Sequence, residues 1–181
     1  MDLRKDFSLD GIKLCNFINL SKDEALKIRE WRNHEDIRKW MYNDSIIGEE
    51  EHLSFIQGLK DKPGTGYWLV KKGGTEFGVL DITRIDFRNR NAHIGIYGNP
   101  ETRMEGRGKV LAEAMKKLAF EELKMHTIHL EVIEDNDRAM KFYEKTGLRK
   151  EGVLKEFVFK DGLWKDVMIM GMTEDEHKNK G

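Results

Sequence analysis

The most constraining feature of this sequence is a glycine-rich turn between a predicted strand and a predicted helix. In RMEGRGKVL, Arg103, Gly106 and Gly108 form the pattern R-x-x-G-x-G at the start of a helix predicted from about residue 106 to 124. The first backbone N–H groups of a helix have no partner within it and lie at the positive end of its dipole. Arg107 and Lys109 add positive charge. The turn therefore predicts an anion site, although a turn that only needs glycine flexibility would have the same pattern.

Two common phosphate motifs do not fit this turn. A P-loop needs Gly at position 103 and Ser or Thr at position 110, where the chain has Arg103 and Val110. A dinucleotide fingerprint needs Gly at position 111, where the chain has Leu111. Both of those phosphate sites are excluded.

The second motif is the segment HLEVIEDNDRAMKFYEKTGLRKEG. It predicts a strand, a polar turn with Asn136 as N-cap, and a helix that ends at Gly147. Ala139 and Tyr143 share one face of that helix because they are four residues apart. Taken alone, Asn136 would be an ordinary cap and Tyr143 an ordinary core residue. The occurrence of both motifs in one chain is a far more specific signal than either motif alone.

The remaining pattern predicts one domain over residues 1–181, because no Ser/Gly-rich linker interrupts it. The predicted order is β, αα, βββ, α, β, α, ββ. The local signals are a strand in 11–20, a helix capped by Ser21 and Glu24, a helix from about Glu49, two strands around Gly73–Gly74, a strand in NAHIGIYGNP ended by Pro100, and a closing hairpin that turns at Asp161–Gly162. The ending TEDEHKNKG predicts a frayed polar tail.

Composition narrows the function classes. The 32 basic and 33 acidic residues give a net charge of -1, so the chain lacks the overall positive charge that is typical of nucleic-acid-binding proteins. The single cysteine, Cys15, excludes an internal disulfide and a cysteine-rich zinc site. No apolar run approaches the ~20 residues that span a bilayer. We therefore expect a soluble cytoplasmic protein without a nucleic-acid or membrane partner.

The two motifs and the element order resemble the GNAT acetyltransferase superfamily over nearly the whole chain. R-x-x-G-x-G is similar to its coenzyme A pyrophosphate motif, and N-x-x-A-x-x-F-Y-E-K-x-G-L is similar to its last helix. The resemblance implies an α/β (α+β) GNAT fold, with a central mixed, mostly antiparallel twisted sheet flanked by about four helices. It also implies an N-acetyltransferase that uses acetyl-CoA and no metal, and a homodimer through the closing strands.

The resemblance further implies residue roles. The pyrophosphate would bind the turn that contains Arg103, Gly106, Arg107, Gly108 and Lys109, and the pantetheine arm would follow the strand HIGIY. Backbone N–H groups at Ile96 and Tyr97 would polarise the thioester carbonyl, Asn136 would face the arm, and Tyr143 would protonate the departing thiolate.

Glu131 is the candidate proton acceptor. An ammonium must lose a proton before its nitrogen attacks a thioester. In TIHLEVI, Ile128, Leu130 and Val132 share one face of the strand, so Glu131 points to the other face together with His129. A buried carboxylate is costly without a partner, so Glu131 either faces a cleft or forms an ion pair. The sequence leaves both alternatives open. Cys15 has no His/Asn constellation around it, which favours direct acetyl transfer.

The acceptor-binding region resembles N-acetyltransferases of the pseudaminic-acid pathway. The shared runs are WRN, WMY, H-L-x-F-I, HIGIYGNP, LEV and KDV. The resemblance implies that the acceptor is the 4-amino group of UDP-4-amino-4,6-dideoxy-N-acetyl-β-L-altrosamine. The implied contacts are Arg32 to the diphosphate, Met41, Tyr42 and Phe55 as an apolar wall, His52 to phosphate or sugar, and Glu131 to the amine. His93 departs from the Tyr of those enzymes, which puts base stacking there in doubt.

Other acceptors and one non-enzyme class remain open. Spermidine and ribosomal-protein acetyltransferases share similar W-R-N and E-E-G-x-L patterns, here KEGVLKEF. A polyamine needs an acidic pocket, which Asp44, Glu49, Glu50 and Glu51 could form, although such charge runs are usually solvated. A catalytically silent CoA-binding module has the same fold. Phe55 could simply pack its helix against the sheet. His52 could be a buried histidine with its hydrogen bonds satisfied inside the protein.

Overall fold

The computed structural model describes residues 2–101 and 105–179, in which eight strands form one sheet. The strands are β1 (Phe7–Leu9), β2 (Ile12–Asn16), β3 (Gly66–Lys72), β4 (Thr75–Asp86), β5 (Asn91–Gly98), β6 (Thr127–Ile133), β7 (Arg149–Lys160) and β8 (Leu163–Thr173). The α-helices are α1 (Lys22–Asn33), α2 (Glu35–Arg38), α3 (Glu49–Gly58), α4 (Arg107–Lys116), α5 (Asp137–Thr146) and α6 (Glu174–Lys178). Within this part of the chain, no helix is long and apolar enough to cross a bilayer.

The sheet has the order β1-β2-β3-β4-β5-β6-β8-β7. Strands β5 and β6 are parallel, and the other neighbouring pairs are antiparallel. The mixed, mostly antiparallel sheet is therefore confirmed. The recorded β5–β6 pairing ends at His93 and His129, although both strands continue. The stretch beyond that pair, from Ile94 on β5 and Leu130 on β6, is called the β5–β6 gap below.

Alternate strand residues face two helical layers. Leu80 and Leu130 lie in a buried cluster with residues of α4 and α5, which defines the α4–α5 face of the sheet. Leu69 and Val79 lie in a second cluster with residues of α1 and α3, which defines the α1–α3 face. Because side chains alternate along a strand, polar residues between these positions can be assigned to a face from their register alone.

Local signals predicted most element ends. The Ser21 hydroxyl accepts a hydrogen bond from the backbone N–H of Glu24, and the Glu24 carboxylate accepts one from the backbone N–H of Ser21, which is the predicted capping box. Positive φ angles at Gly73–Gly74 and Asp161–Gly162 allow the two predicted hairpin turns.

Four local predictions need correction. The single first strand is the hairpin β1–β2, because Asp10 and Gly11 adopt positive φ angles between the two strands. The short helix α2 was not predicted. The long helix changes to a π-helical turn over Lys117–Glu122. The polar tail includes α6, because a capping box between Thr173 and Glu176 satisfies its first N–H groups.

Candidate active site

The glycine turn begins α4 with a backbone open to an anion. Gly106 is the N-cap with a φ of 78°, and no side chain caps the helix. A Cβ at Gly108 would lie 2.9 Å from Cε2 of Phe142, so glycine allows α5 to approach the turn closely. Backbone donors without a capping side chain and a missing Cβ both suit a bound diphosphate. Arg103 lies outside the described residues.

Arginines bring positive charge to this turn. The Arg107 side chain crosses Gly98, where a Cβ would lie 2.7 Å from its Nε atom, and it donates a hydrogen bond to the backbone carbonyl of Asn99. Burial, and then the charge of Arg138, lower the pKa of Arg107. Arg138, which the sequence analysis did not identify, is in the first turn of α5. Two mutually repelling cations beside a helix N-terminus favour an anionic ligand.

A groove of 660 Å³ continues from the turn between α4 and α5. Gly108, Lys109 and Phe142 line it at the turn, and Lys116 and Lys145 line it further along. Lysine side chains along a groove can bind the phosphate groups of a nucleotide. No group of three or more His, Cys, Asp or Glu residues in the described ranges could hold a metal ion.

The backbone of β5 faces the gap at Ile96. The Asn99 amide donates to the Phe77 carbonyl at 2.9 Å, and the same register pairs Tyr97 with Val79. Because amide directions alternate along a strand, the Ile96 amide is directed towards the gap and the Tyr97 amide towards β4. Only the first of the two predicted amides is thus placed to meet a carbonyl in the gap. The contribution of Tyr97 is its side chain.

Tyr143 approaches the same region from α5. It is 7% exposed, and its ring centroid lies 5.0 Å from that of Phe142. Its hydroxyl makes no hydrogen bond to any described residue. Burial, and then the charge of Asp81, raise the pKa of Tyr143, so the phenol stays protonated and can donate. Asn136 caps α5 by accepting a hydrogen bond from the backbone N–H of Ala139 at 3.1 Å, which leaves a second role towards the cofactor untested.

Glu131 lies in a polar cluster on the α1–α3 face. The Tyr42 hydroxyl donates to its Oε2 atom at 2.6 Å, and Nη1 of Arg84 donates to its Oε1 atom at 3.2 Å. Nδ1 of His93 lies 3.7 Å from Oε1. Burial, and then the charge of Arg84, lower the pKa of His93. The structure thus unites three predicted site residues and adds Arg84, and it realises the ion pair that the sequence left open for Glu131.

Arg32 of α1 and His52 of α3 each have a buried polar atom without a hydrogen-bond partner among the described residues. Arg32 donates through Nη2 to the Asn43 carbonyl at 2.6 Å, whereas its buried Nη1 has no partner among the described residues. The buried Nε2 of His52 likewise lacks a partner there. Burial lowers the pKa of both side chains. Buried polar groups without partners are costly, so these two atoms point to a polar ligand.

The apolar wall predicted from sequence is divided. Phe55 packs edge-on against Tyr67 with ring centroids 5.1 Å apart, on the side of α3. The ring of Tyr42 instead lies 6.1 Å from Phe157 of β7. Met41 presents its backbone carbonyl to Nζ of Lys160 at 3.1 Å. The two halves come from separate elements, which a linear pattern does not reveal.

The acidic run predicted for a polyamine does not converge. Asp44 pairs with Lys160 at 2.6 Å, and Glu49 pairs with Lys22 at 3.1 Å. Glu50 and Glu51 are exposed in the first turn of α3. These carboxylates are already neutralised or solvated.

Asp81 is the site residue that the sequence analysis missed. It lies in β4 beside Tyr67 of β3 and Gly95 of β5. Burial raises the pKa of Asp81 to about 7. Its oxygens make no hydrogen bond to a described residue, yet the side chain keeps some exposure, as expected at the floor of a cleft. An Asp between apolar residues in GVLDITRI was the available signal.

Comparison with known proteins places this geometry in context. The sequence model of the Acetyltransferase (GNAT) family matches residues 25–148. Acetyltransferase PseH of Campylobacter jejuni is 38% identical over 134 residues, which cover 74% of this chain and 82% of that protein. The crystal structure of Campylobacter jejuni PseH with acetyl coenzyme A has a TM-score of 0.69 and 28% identity, and the match covers 90% of this chain and 99% of that one. Spermidine N-acetyltransferase from Vibrio cholerae, solved with CoA and spermine, has a TM-score of 0.83 and 22% identity over 93% of this chain and 99% of that one.

Proposed function

The chain belongs to the GNAT family and is an acetyl-CoA-dependent N-acetyltransferase, and we propose that its acceptor is the 4-amino group of UDP-4-amino-4,6-dideoxy-N-acetyl-β-L-altrosamine. The observation that carries this acceptor is that Nη1 of Arg32 and Nε2 of His52 are two of four buried side-chain atoms without a partner among the described residues, the others being Nε of Arg29 and Nε1 of Trp31. A diphosphate offers acceptor oxygens to the Arg32 guanidinium, and hydroxyl groups of a sugar can donate to Nε2 of the neutral His52 ring, whose hydrogen bond to the Ala25 backbone uses the other nitrogen. The reaction would be a step of pseudaminic acid biosynthesis in the cytoplasm.

The cofactor end uses the glycine turn. Acetyl-CoA supplies the acetyl group as a thioester. Backbone N–H groups at Gly106 and Gly108, with Arg103, Arg107 and Lys109, bind its diphosphate, and Arg138 adds charge. The Ile96 amide polarises the thioester carbonyl, and the Tyr97 side chain and Asn136 border the arm.

The acceptor end uses the α1–α3 face. Arg32 binds the diphosphate of the nucleotide sugar, and His52 hydrogen-bonds its phosphate or its sugar. Met41, Tyr42 and Phe55 contact its apolar parts from the two sides of the cleft. His93 contacts the sugar beside Glu131, which faces the amine. On the opposite side of the gap, Tyr143 gives its proton to the departing thiolate.

Spermidine or a protein N-terminus is the second candidate acceptor. Spermidine N(1)-acetyltransferase of Vibrio cholerae is 29% identical over 103 residues, which cover 57% of this chain, against 38% over 134 residues for PseH. Paired Asp44 and Glu49 leave a polyamine fewer anionic contacts than the sequence suggested. A silent CoA-binding module is the alternative outside enzymes, and Tyr143 at the gap argues against it.

The test compares acceptors directly. Release of the CoA thiol is followed with the UDP-4-amino sugar, spermidine and a short peptide at equal concentration, and the acetylated product is identified by mass spectrometry. We expect preferential turnover of the nucleotide sugar. Turnover of spermidine alone would refute the proposed acceptor, and CoA binding without transfer to any amine would favour the silent module.

A homodimer is part of this proposal. Strand β7 is an edge strand, and Phe157, Phe159 and Trp164 of the β7–β8 hairpin are 51%, 60% and 60% exposed. Exposed aromatic side chains beside a free strand edge favour pairing with a second copy.

A further inference from the structure

Two carboxylates flank one glycine on the α1–α3 face of the sheet. Asp81 pairs with Gly95 across β4 and β5. The parallel register that pairs His93 with His129 places Gly95 level with Glu131 two residues later. Residues two apart on a strand share a face, so Asp81 and Glu131 point the same way from either side of Gly95. Because β5 and β6 no longer pair beyond His93 and His129, the β5–β6 gap separates Glu131 from Gly95 and from Asp81 behind it.

Gly95 leaves the space between these carboxylates open. A Cβ at this position would lie 2.2 Å from Oδ2 of Asp81, so the Asp81 carboxylate leans over the glycine backbone. It thus reaches towards the β5–β6 gap. Any larger residue at position 95 would push it away.

Asp81 and Tyr143 approach the gap from opposite faces. Val79 is two residues from Asp81 on β4 and packs with Tyr97 in the α1–α3 cluster, so Asp81 also lies on the α1–α3 face. Tyr143 belongs to the α4–α5 cluster. The charge of Asp81 nevertheless raises the pKa of Tyr143, as it does for Tyr67 of β3 and Tyr97 of β5. The Tyr143 phenol therefore feels the charge of Asp81 although the two residues belong to opposite faces of the sheet.

Burial alone raises the pKa of Asp81, and no charged group in the described part of the chain contributes to it. Arg32 of α1 acts on Tyr67 and Tyr97, which stand next to Asp81. Glu131, with His93 and Arg84, lies across Gly95. Glu131 already accepts hydrogen bonds from Tyr42 and Arg84 on separate oxygens. Of the two carboxylates, Asp81 is the one without a hydrogen bond to a described residue.

We propose that Asp81 is the catalytic base that takes the proton from the acceptor ammonium, and that Glu131 positions the acceptor through Tyr42. This inference rests on the proposed acetyl transfer. Asp81 removes one ammonium proton, the neutral nitrogen forms a bond to the thioester carbonyl carbon, and the C–S bond breaks. The Tyr143 hydroxyl protonates the thiolate sulfur. The second proton leaving the nitrogen restores Tyr143, and Asp81 later loses its proton to water.

The test is a pH–rate comparison of Asp81→Asn and Glu131→Gln from about pH 5.5 to about pH 9. We expect Asp81→Asn to lower kcat/KM by ~100-fold or more and to abolish the acid limb near neutral pH. Glu131→Gln should keep that limb and mainly raise the KM of the acceptor. Asp86→Asn is the matched control, because Asp86 is on the same strand but binds Arg88 and Asn89 in an exposed turn.

Thermal unfolding supplies a readout without turnover. A carboxyl whose pKa is raised on folding destabilises the folded state at pH values above its unfolded pKa. Asp81→Asn should therefore raise Tm at pH ~8 more than at pH ~4, whereas Asp86→Asn should not.

The outcomes separate this inference from the proposed acceptor. An acid limb that persists in Asp81→Asn but disappears in Glu131→Gln would overturn it in favour of Glu131. If wild type acetylates spermidine but not the nucleotide sugar, the proposed acceptor fails and the same comparison is made with spermidine. Absence of transfer to any amine would overturn both.

Discussion

At the scale of single residues, burial sets the proton affinities of the groups at the β5–β6 gap. It raises the pKa of Asp81 to about 7 and keeps Tyr143 protonated. A base with a pKa near the working pH and an acid that stays neutral are the pair that amine acetylation needs. Both pKa values are raised by the same cause, the burial of a group that would carry a negative charge. They remain far apart because a carboxyl and a phenol start from different intrinsic pKa values.

Tyr143→Phe is expected to lower kcat by ~100-fold or more, because the phenol proton no longer reaches the thiolate. Acetyl-CoA affinity, measured by calorimetry, should stay within about twofold of wild type, since the ring is preserved. Phe142→Leu is the control for packing beside the turn. Unchanged turnover in Tyr143→Phe would remove Tyr143 from the chemistry.

Arg32→Met is expected to raise the KM of the nucleotide sugar ~10–100-fold, because a charged hydrogen bond to phosphate contributes about 1.5–3 kcal/mol. Spermidine has no phosphate, so its kinetics should not show this loss. Thermal unfolding should show a modest loss of stability, because the variant gives up the Nη2 bond to the Asn43 carbonyl but also removes the buried, unpartnered Nη1. An equal rise in KM for both amines would argue against a diphosphate contact.

At the scale of elements, the segment 39–48 between α2 and α3 is fastened to the β7–β8 hairpin. Nζ of Lys160, whose side chain is 8% exposed, donates to the Met41 carbonyl and to the Asp44 carboxylate. The same segment carries Tyr42 to Glu131. The hairpin therefore supports the segment that forms one wall of the proposed acceptor cleft.

Lys160→Met is expected to raise the acceptor KM by ~10-fold, because the wall loses a buried, charge-assisted anchor. The acetyl-CoA Kd should not change. Lys155→Met is a matched control on the same strand, because Lys155 also pairs with an aspartate, Asp166, but its side chain is 78% exposed. Equal effects of both variants in steady-state kinetics would contradict a specific role for Lys160.

At the scale of the whole molecule, the sheet ends in an uncovered edge. Strand β7 is the last of the eight strands, and the rings of Phe159 and Trp164 are inclined at 56° with centroids 5.1 Å apart on the hairpin surface. A pair of exposed aromatic side chains costs solubility in an isolated monomer. A second copy of the chain would cover them.

Phe159→Glu combined with Trp164→Glu is expected to convert a dimer into a monomer, because like charges would be buried across the interface. Light scattering coupled to size exclusion measures the change. Phe87→Glu is the control, since Phe87 is 50% exposed in a different turn. A monomeric wild-type protein would refute the proposed dimer.

The sequence by itself determined the local elements and the residues that mark them. The capping box at Ser21, the Asn136 cap, the hairpin turns at Gly73–Gly74 and the outward face of Glu131 all depend on contacts within a few residues. Such signals are legible because hydrogen bonds to neighbouring backbone and the two-residue period of a strand are local. They were sufficient to predict most of the element order and the anion turn, whereas the mixed sheet was implied by the resemblance to the GNAT superfamily.

Only the tertiary structure decided which polar groups meet. Asp81 and Glu131 flank Gly95 because strand order and register join segments 50 residues apart in the chain. The same long-range pairing splits Phe55 from Tyr42 and gives Glu131 its partner Arg84. Register and burial depend on the packing of the whole sheet, so no local pattern encodes the raised pKa of Asp81 or its effect on the pKa of Tyr143.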